Sequence, residues 1–93
     1  MINQERINKI TELSDKLGND SNKIIEMMQH HTSEIEELYN KEDKHFSVET
    51  GDLIILCIQL LVKEGYSIEE IMENCYDRFD KKLNELLSNV NQG

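Results

Sequence analysis

Apolar residues along this chain recur at steps of three and four, the spacing of one helix face, and rarely alternate with polar residues as a strand requires. Ile7, Ile10, Leu13 and Leu17 form the first stripe, and Gly18-Asn19 follow as a stop, so a helix is predicted over 2–17. Ile24, Met28, His31, Ile35 and Leu38 form the second, predicting a helix over 21–40 capped by Asp20 or Ser21. Lys41 to Phe46 are charged and without period, and read as a loop. A third helix is expected over 48–64, with Ser47 as its cap and Gly65 at its end. From Leu53 onward it is apolar nearly all round, which makes it the central one. The fourth, over 68–88, opens with a Ser67–Glu70 capping box, and Tyr66 and Ile71 are spaced as a hydrophobic staple. It continues through Met72, Cys75, Phe79, Leu83 and Leu86, and residues 89–93 are expected to fray.

Composition agrees with this pattern. The chain has 93 residues, no proline and four glycines, enough for one all-α domain built as a four-helix bundle. A domain this small buries a modest share of its surface. Helix three is apolar on more sides than three neighbours cover, so a dimer or tetramer is expected. Nineteen acids against ten bases give a formal net charge of −9. That field excludes nucleic acid as a partner, because phosphate backbones need a positive footprint, and it is repelled by anionic membrane surfaces. An anionic ligand can bind only through local cations or a bound metal. The longest apolar run, Leu53 to Val62, is interrupted by Gln59 and is about half a bilayer span. Cys57 and Cys75 lie inside predicted helices without zinc spacing and read as small hydrophobes of a reducing compartment. Met1 leads into a polar helical stretch, so no signal peptide is expected and a cytoplasmic location follows.

The acids carry the chemistry. Glu34 and Glu37 lie three apart on helix two, and Glu49 and Asp52 lie three apart at the start of helix three. Residues at that spacing share a helix face, so each pair can converge on one ion. Pairs of acids three apart also arise by chance in so acidic a chain, Glu70 with Glu73 for example, and most are solvated faces. Position separates the four: Glu49 extends the Leu53–Leu56–Leu60 stripe, Asp52 borders it, and Glu34 edges the apolar face of helix two. Carboxylates turned toward a core are costly unless a cation relieves them, and magnesium prefers such oxygens.

The remaining polar residues divide in two. His31, within an apolar stripe, reads as a satisfied core histidine, and His45 as a solvated loop residue. His30 and His31 precede Glu34 by four and three, so a zinc or di-iron reading is the alternative, but di-iron bundles want Glu-x-x-His on their helices and neither of these histidines follows a glutamate by three. Arg78, Lys81 and Lys82 stand out because positive charge is scarce. They are either salt-bridged to Asp77, Asp80 and Glu85 or available to phosphate, which arginine grips bidentately.

The words Glu34-Ile35-Glu36-Glu37 and Glu49-Thr50-Gly51-Asp52, separated by a loop and followed by an apolar helix, resemble the MazG-like all-α nucleotide pyrophosphohydrolases. The turn at Gly65, the acidic helix start at Ser67 to Glu70, and the spacing of Arg78-Phe79 and Lys82 extend the likeness over residues 24–83. The short loop between the acid pairs, Tyr76 in place of the more usual asparagine and Arg78 in place of lysine depart from it. The resemblance implies a MazG fold, assembled as a dimer or tetramer. It implies cleavage of a nucleoside triphosphate to monophosphate and pyrophosphate, with magnesium, or manganese in its place, on Glu34, Glu37, Glu49 and Asp52. Glu37 is then the residue that orients or deprotonates the attacking water, and Arg78, Lys82 and Lys81 meet the phosphates. A relative acting on phosphoribosyl-ATP, or a non-catalytic helical module that dimerises through the same faces, shares the pattern.

Overall fold

The structure, a computed structural model, describes residues 2–92. It is all-helical among those residues: α1 spans Gln4–Lys16, α2 Ser21–Asn40, α3 Phe46–Lys63 and α4 Ile68–Gln92. Helix α4 runs through the segment expected to fray, and Gly93 lies outside the described residues. No helix among them is long and apolar enough to cross a membrane.

Local chemistry sets most boundaries. Asn3 caps α1 by accepting from the Arg6 N–H at 3.1 Å, and Asp20 caps α2 by accepting from the Lys23 N–H at 2.8 Å. Ser67 Oγ accepts from the Glu70 N–H at 3.4 Å, one arm of the expected capping box, while Tyr66 stays exposed. At the start of α3 the expectation differs. Helix α3 begins at Phe46, and Ser47 Oγ donates back to the Lys44 carbonyl instead of capping. Hydrogen bonds from Phe46, Ser47 and Val48 to the carbonyls three residues earlier wind a tight turn into the helix, so no side-chain cap is needed.

Three helices end in the same way. The N–H of Asn19 bonds to the Ser14 carbonyl and that of Gly18 to Asp15, and Tyr66 with Gly65 repeat this on Leu61 and Val62. Such crossed bonds need a left-handed residue, supplied by Gly18 at φ 78° and Gly65 at φ 84°. Helix α2 closes likewise through Asp43 to Leu38 and Glu42 to Tyr39, but here a glutamate, Glu42, holds φ 60°.

Helices α2 and α3 form an antiparallel hairpin and share the most extensive contact in the chain. Tyr39 and Phe46 stack edge to face at 5.4 Å at the closed end. At the open end Ser21 donates to the Glu64 carboxylate, and Lys63 pairs with Asp15 of α1 at 2.6 Å. Ile24, fully buried, and Leu56 and Ile58 make the centre of the core. The α2 stripe faces inward as its spacing predicts, with Met28, His31, Ile35 and Leu38 half-buried. Helix α1 is rotated relative to expectation. Ile7, Thr11 and Ser14 are buried, whereas Leu13 and Leu17 are exposed. Thr11 satisfies its hydroxyl on the Ile7 carbonyl at 2.9 Å, so small polar residues can face α3 at little cost.

Helix α3 packs against all three other helices, in keeping with its all-round apolar surface. Among the described residues helix α4 touches α3 alone, through a first stretch in which Ile68, Ile71 and Cys75 are half-buried. From Tyr76 to Val90 it is exposed, including Phe79, Leu83, Leu86, Leu87 and Val90. The radius of gyration, 16.5 Å, exceeds the roughly 12 Å of a compact chain of this length for the same reason.

Candidate metal and phosphate site

The hairpin brings part of the acidic motif together. Glu49, one turn into α3, has a side chain only 15% exposed, and Asp52 stands one turn on at 52%. Both face His31 of α2. His31 Nε2 lies 3.4 Å from Glu49 Oε2 and 4.0 Å from Asp52 Oδ2. The ligating atoms of these three residues lie within 4.8 Å of one another.

His31 is the participant that the sequence reads as a satisfied core histidine ahead of a metal ligand. Its place in the apolar stripe of α2 was the available signal, because that stripe is the face turned to α3. Its Nδ1 lies 2.9 Å from the Met27 carbonyl. That carbonyl can only accept, so Nδ1 carries a hydrogen, and Nε2 is the nitrogen that faces the two carboxylates. His45, expected to be merely solvated, also reaches the site, with Nε2 3.4 Å from Glu49 Oε1. Among the described residues no lysine or arginine comes within 4.0 Å of Glu49 or Asp52.

The α2 pair stands apart from this cluster. Glu34 is half-buried and faces His30 Nε2 at 3.7 Å. Glu37 is exposed and accepts a hydrogen bond from Lys41 Nζ at 2.8 Å. That bond and the attached charge hold the Glu37 carboxyl below its ordinary value and raise Lys41 above its own. A carboxylate held down in this way orients water more readily than it takes a proton. Neither Glu34 nor Glu37 belongs to the cluster of His31, Glu49 and Asp52.

Arg78, Lys81 and Lys82 line a shallow concavity on α4 with Cys75, Phe79 and Glu85. Among the described residues none of the three bases pairs with an acid within 4.0 Å, so the salt-bridged alternative is not what the structure holds. Their arrangement, three cations beside an aromatic face, suits a phosphate-bearing ligand. Among the described residues helix α4 does not touch α2, so this basic face and the Glu34–Glu37 pair do not line one pocket within a single chain.

The donor chemistry fits a divalent cation. Two carboxylates neutralise a dication, and oxygen ligands such as those of Glu49 and Asp52 suit magnesium. No protein-family model matches the chain, and no curated protein or solved structure matches it.

Proposed function

We propose that this chain is a magnesium-dependent nucleoside triphosphate pyrophosphohydrolase, releasing pyrophosphate and a monophosphate. The observation that carries the reading is the meeting of Glu49 and Asp52 on a face of the α2–α3 hairpin without a lysine or arginine to balance them. The resemblance of the Glu34–Glu37 and Glu49–Asp52 words to the MazG-like enzymes supplies the substrate class. In this reading Glu49, Asp52, Glu34 and Glu37 hold magnesium, or manganese in its place. The metal, when bound, neutralises charge that develops on the phosphates. Glu37, released from Lys41, orients the attacking water. Arg78 and Lys82, with Lys81 beside them, grip phosphate oxygens.

Self-association belongs to the proposal. Among the described residues the apolar face of α4 has no partner within the chain, and a second copy, in a dimer or tetramer, is the occupant the expected assembly requires. It also offers a route by which the basic face of one α4 meets the acids of another protomer. The same exposed face favours the rival reading, a non-catalytic module that only dimerises.

A panel of nucleoside triphosphates, with pyrophosphate release as the readout, tests the activity. Magnesium should raise the melting temperature of the parent, because a ligand bound only by the native state adds about 2.7 kcal/mol at a hundred times its Kd. Glu49→Gln and Asp52→Asn should lose both effects together. Arg78→Ala and Lys82→Ala should raise KM with folding unchanged. A parent that is indifferent to millimolar magnesium and cleaves no nucleotide overturns the enzyme reading and leaves the dimerising module.

A further inference from the structure

We infer that His31, Glu49 and Asp52 form a three-ligand site for a divalent ion of the zinc class, with one coordination position open to water. The inference rests on the reading that Glu49 and Asp52 face a bound cation. It goes beyond that reading by adding a nitrogen ligand and changing which ion is preferred.

Geometry is the first argument. Nitrogen and oxygen ligands lie 2.0–2.2 Å from zinc, so tetrahedral neighbours stand about 3.4 Å apart. His31 Nε2 and Glu49 Oε2 are 3.4 Å apart. Asp52 Oδ2, at 4.0 Å from the same nitrogen, belongs to a half-exposed side chain that can close the difference by rotating. One imidazole with two carboxylates leaves a fourth tetrahedral position free, the arrangement of catalytic rather than structural zinc sites.

The orientation of His31 is the second. A ligating histidine commonly donates its other ring N–H to a backbone carbonyl, which fixes the tautomer and the ring plane. The Met27 carbonyl does this at 2.9 Å, one helical turn back on α2. Nε2 is thereby held toward both acids, the nitrogen an ion would take.

The third argument is what surrounds Glu49. One of its oxygens faces His31 and the other faces His45 Nε2 at 3.4 Å. With Oε2 on the ion, Oε1 is left for the His45 ring N–H, which holds the carboxylate in place. His45 is thus a positioning residue that acts through Glu49.

Donor type then selects the ion. Magnesium takes oxygen ligands and near-octahedral geometry, whereas an imidazole nitrogen suits zinc, cobalt and nickel. The charges close as well, since two carboxylates and one neutral imidazole balance a dication.

The test uses the tag-free, metal-stripped full chain, with zinc and cobalt as the probes. Cobalt should give the intense visible absorption of a four- or five-coordinate site at one ion per chain, and zinc should displace it while millimolar magnesium does not. His31→Gln should weaken zinc binding at least tenfold and abolish the band, with the helical circular dichroism retained. His45→Gln should weaken it about 10-fold, the lower end of the usual effect of an outer partner. His30→Gln is the control, since His30 is exposed and, among the described residues, pairs with no acid but Glu34. Equal zinc affinity in His31→Gln and the parent, or an equal loss in His30→Gln, overturns the inference. The two proposals fail separately. Magnesium-driven pyrophosphate release with no zinc site leaves only the enzyme reading. A His31-dependent zinc site with no cleavage of any nucleotide leaves only this one.

Discussion

Replacing Glu42 by glycine should stabilise the protein. Glu42 is the residue after the α2 cap and the one described non-glycine residue at positive φ, 60°. It holds this conformation because the crossed bonds that end α2 demand it: the Glu42 N–H reaches the Tyr39 carbonyl at 3.0 Å, and the Asp43 N–H reaches Leu38 at 2.9 Å. An L-residue pays roughly 1–2 kcal/mol to sit there, because its Cβ crowds the following carbonyl. Glycine removes that cost but gives the unfolded chain more freedom, which offsets about 0.4–1 kcal/mol. The exposed Glu42 side chain forms no hydrogen bond or ion pair among the described residues, so nothing else is lost. The net expectation is a gain of about 0.5–1 kcal/mol. In a domain of this size that raises the melting temperature by about 2–8 °C. Thermal and urea unfolding of the parent, Glu42→Gly and Glu42→Ala measure it. Alanine keeps the Cβ and should show none of the gain. A glycine variant no more stable than the alanine one refutes the reasoning, because the strain would then not be carried at this position.

Three further outcomes follow from the same structure. Ile24 is fully buried between α2 and α3, so Ile24→Ala should cost about 2–5 kcal/mol in urea unfolding, and a loss under about 1 kcal/mol would mean that the hairpin core repacks. Glu37 is held below its ordinary value of 4.5 by the Lys41 hydrogen bond, so its contribution to stability is present above that pH and is lost as pH falls through the lower, folded value. The melting-temperature advantage of the parent over Glu37→Gln should accordingly shrink on acidification from pH 7 to pH 3, and an advantage that grows would reverse the assignment. Leu83 and Leu86 are about half exposed on the partnerless face of α4, so Leu83→Lys with Leu86→Lys should convert a self-associated parent to a monomer in light scattering while keeping its helicity. A parent already monomeric at micromolar concentration contradicts the expected assembly.

The helices, their order and most of their ends were legible along the chain because each depends on neighbours within a turn or two. Asp20 caps from its own position, and Gly18 and Gly65 take left-handed conformations that few other residues accept. The α2 end shows where such local rules stop. Glu42 fills a position that glycine usually marks, because the Tyr39–Phe46 contact and the immediate start of α3 dictate the turn and override its own preference. The acid pairs, too, could be named from spacing, since residues three apart share a face of any helix. What spacing does not fix is how each helix is rotated about its axis, and tertiary packing alone decided that. It turned α1 so that Thr11 and Ser14 are buried while Leu13 and Leu17 are not. It set α2 against α3 so that His31, rather than Glu34 or Glu37, meets Glu49 and Asp52. Helix rotation is the sum of many small side-chain contacts between elements distant in sequence, so it is written in the packing of the whole hairpin and in no single stretch of it.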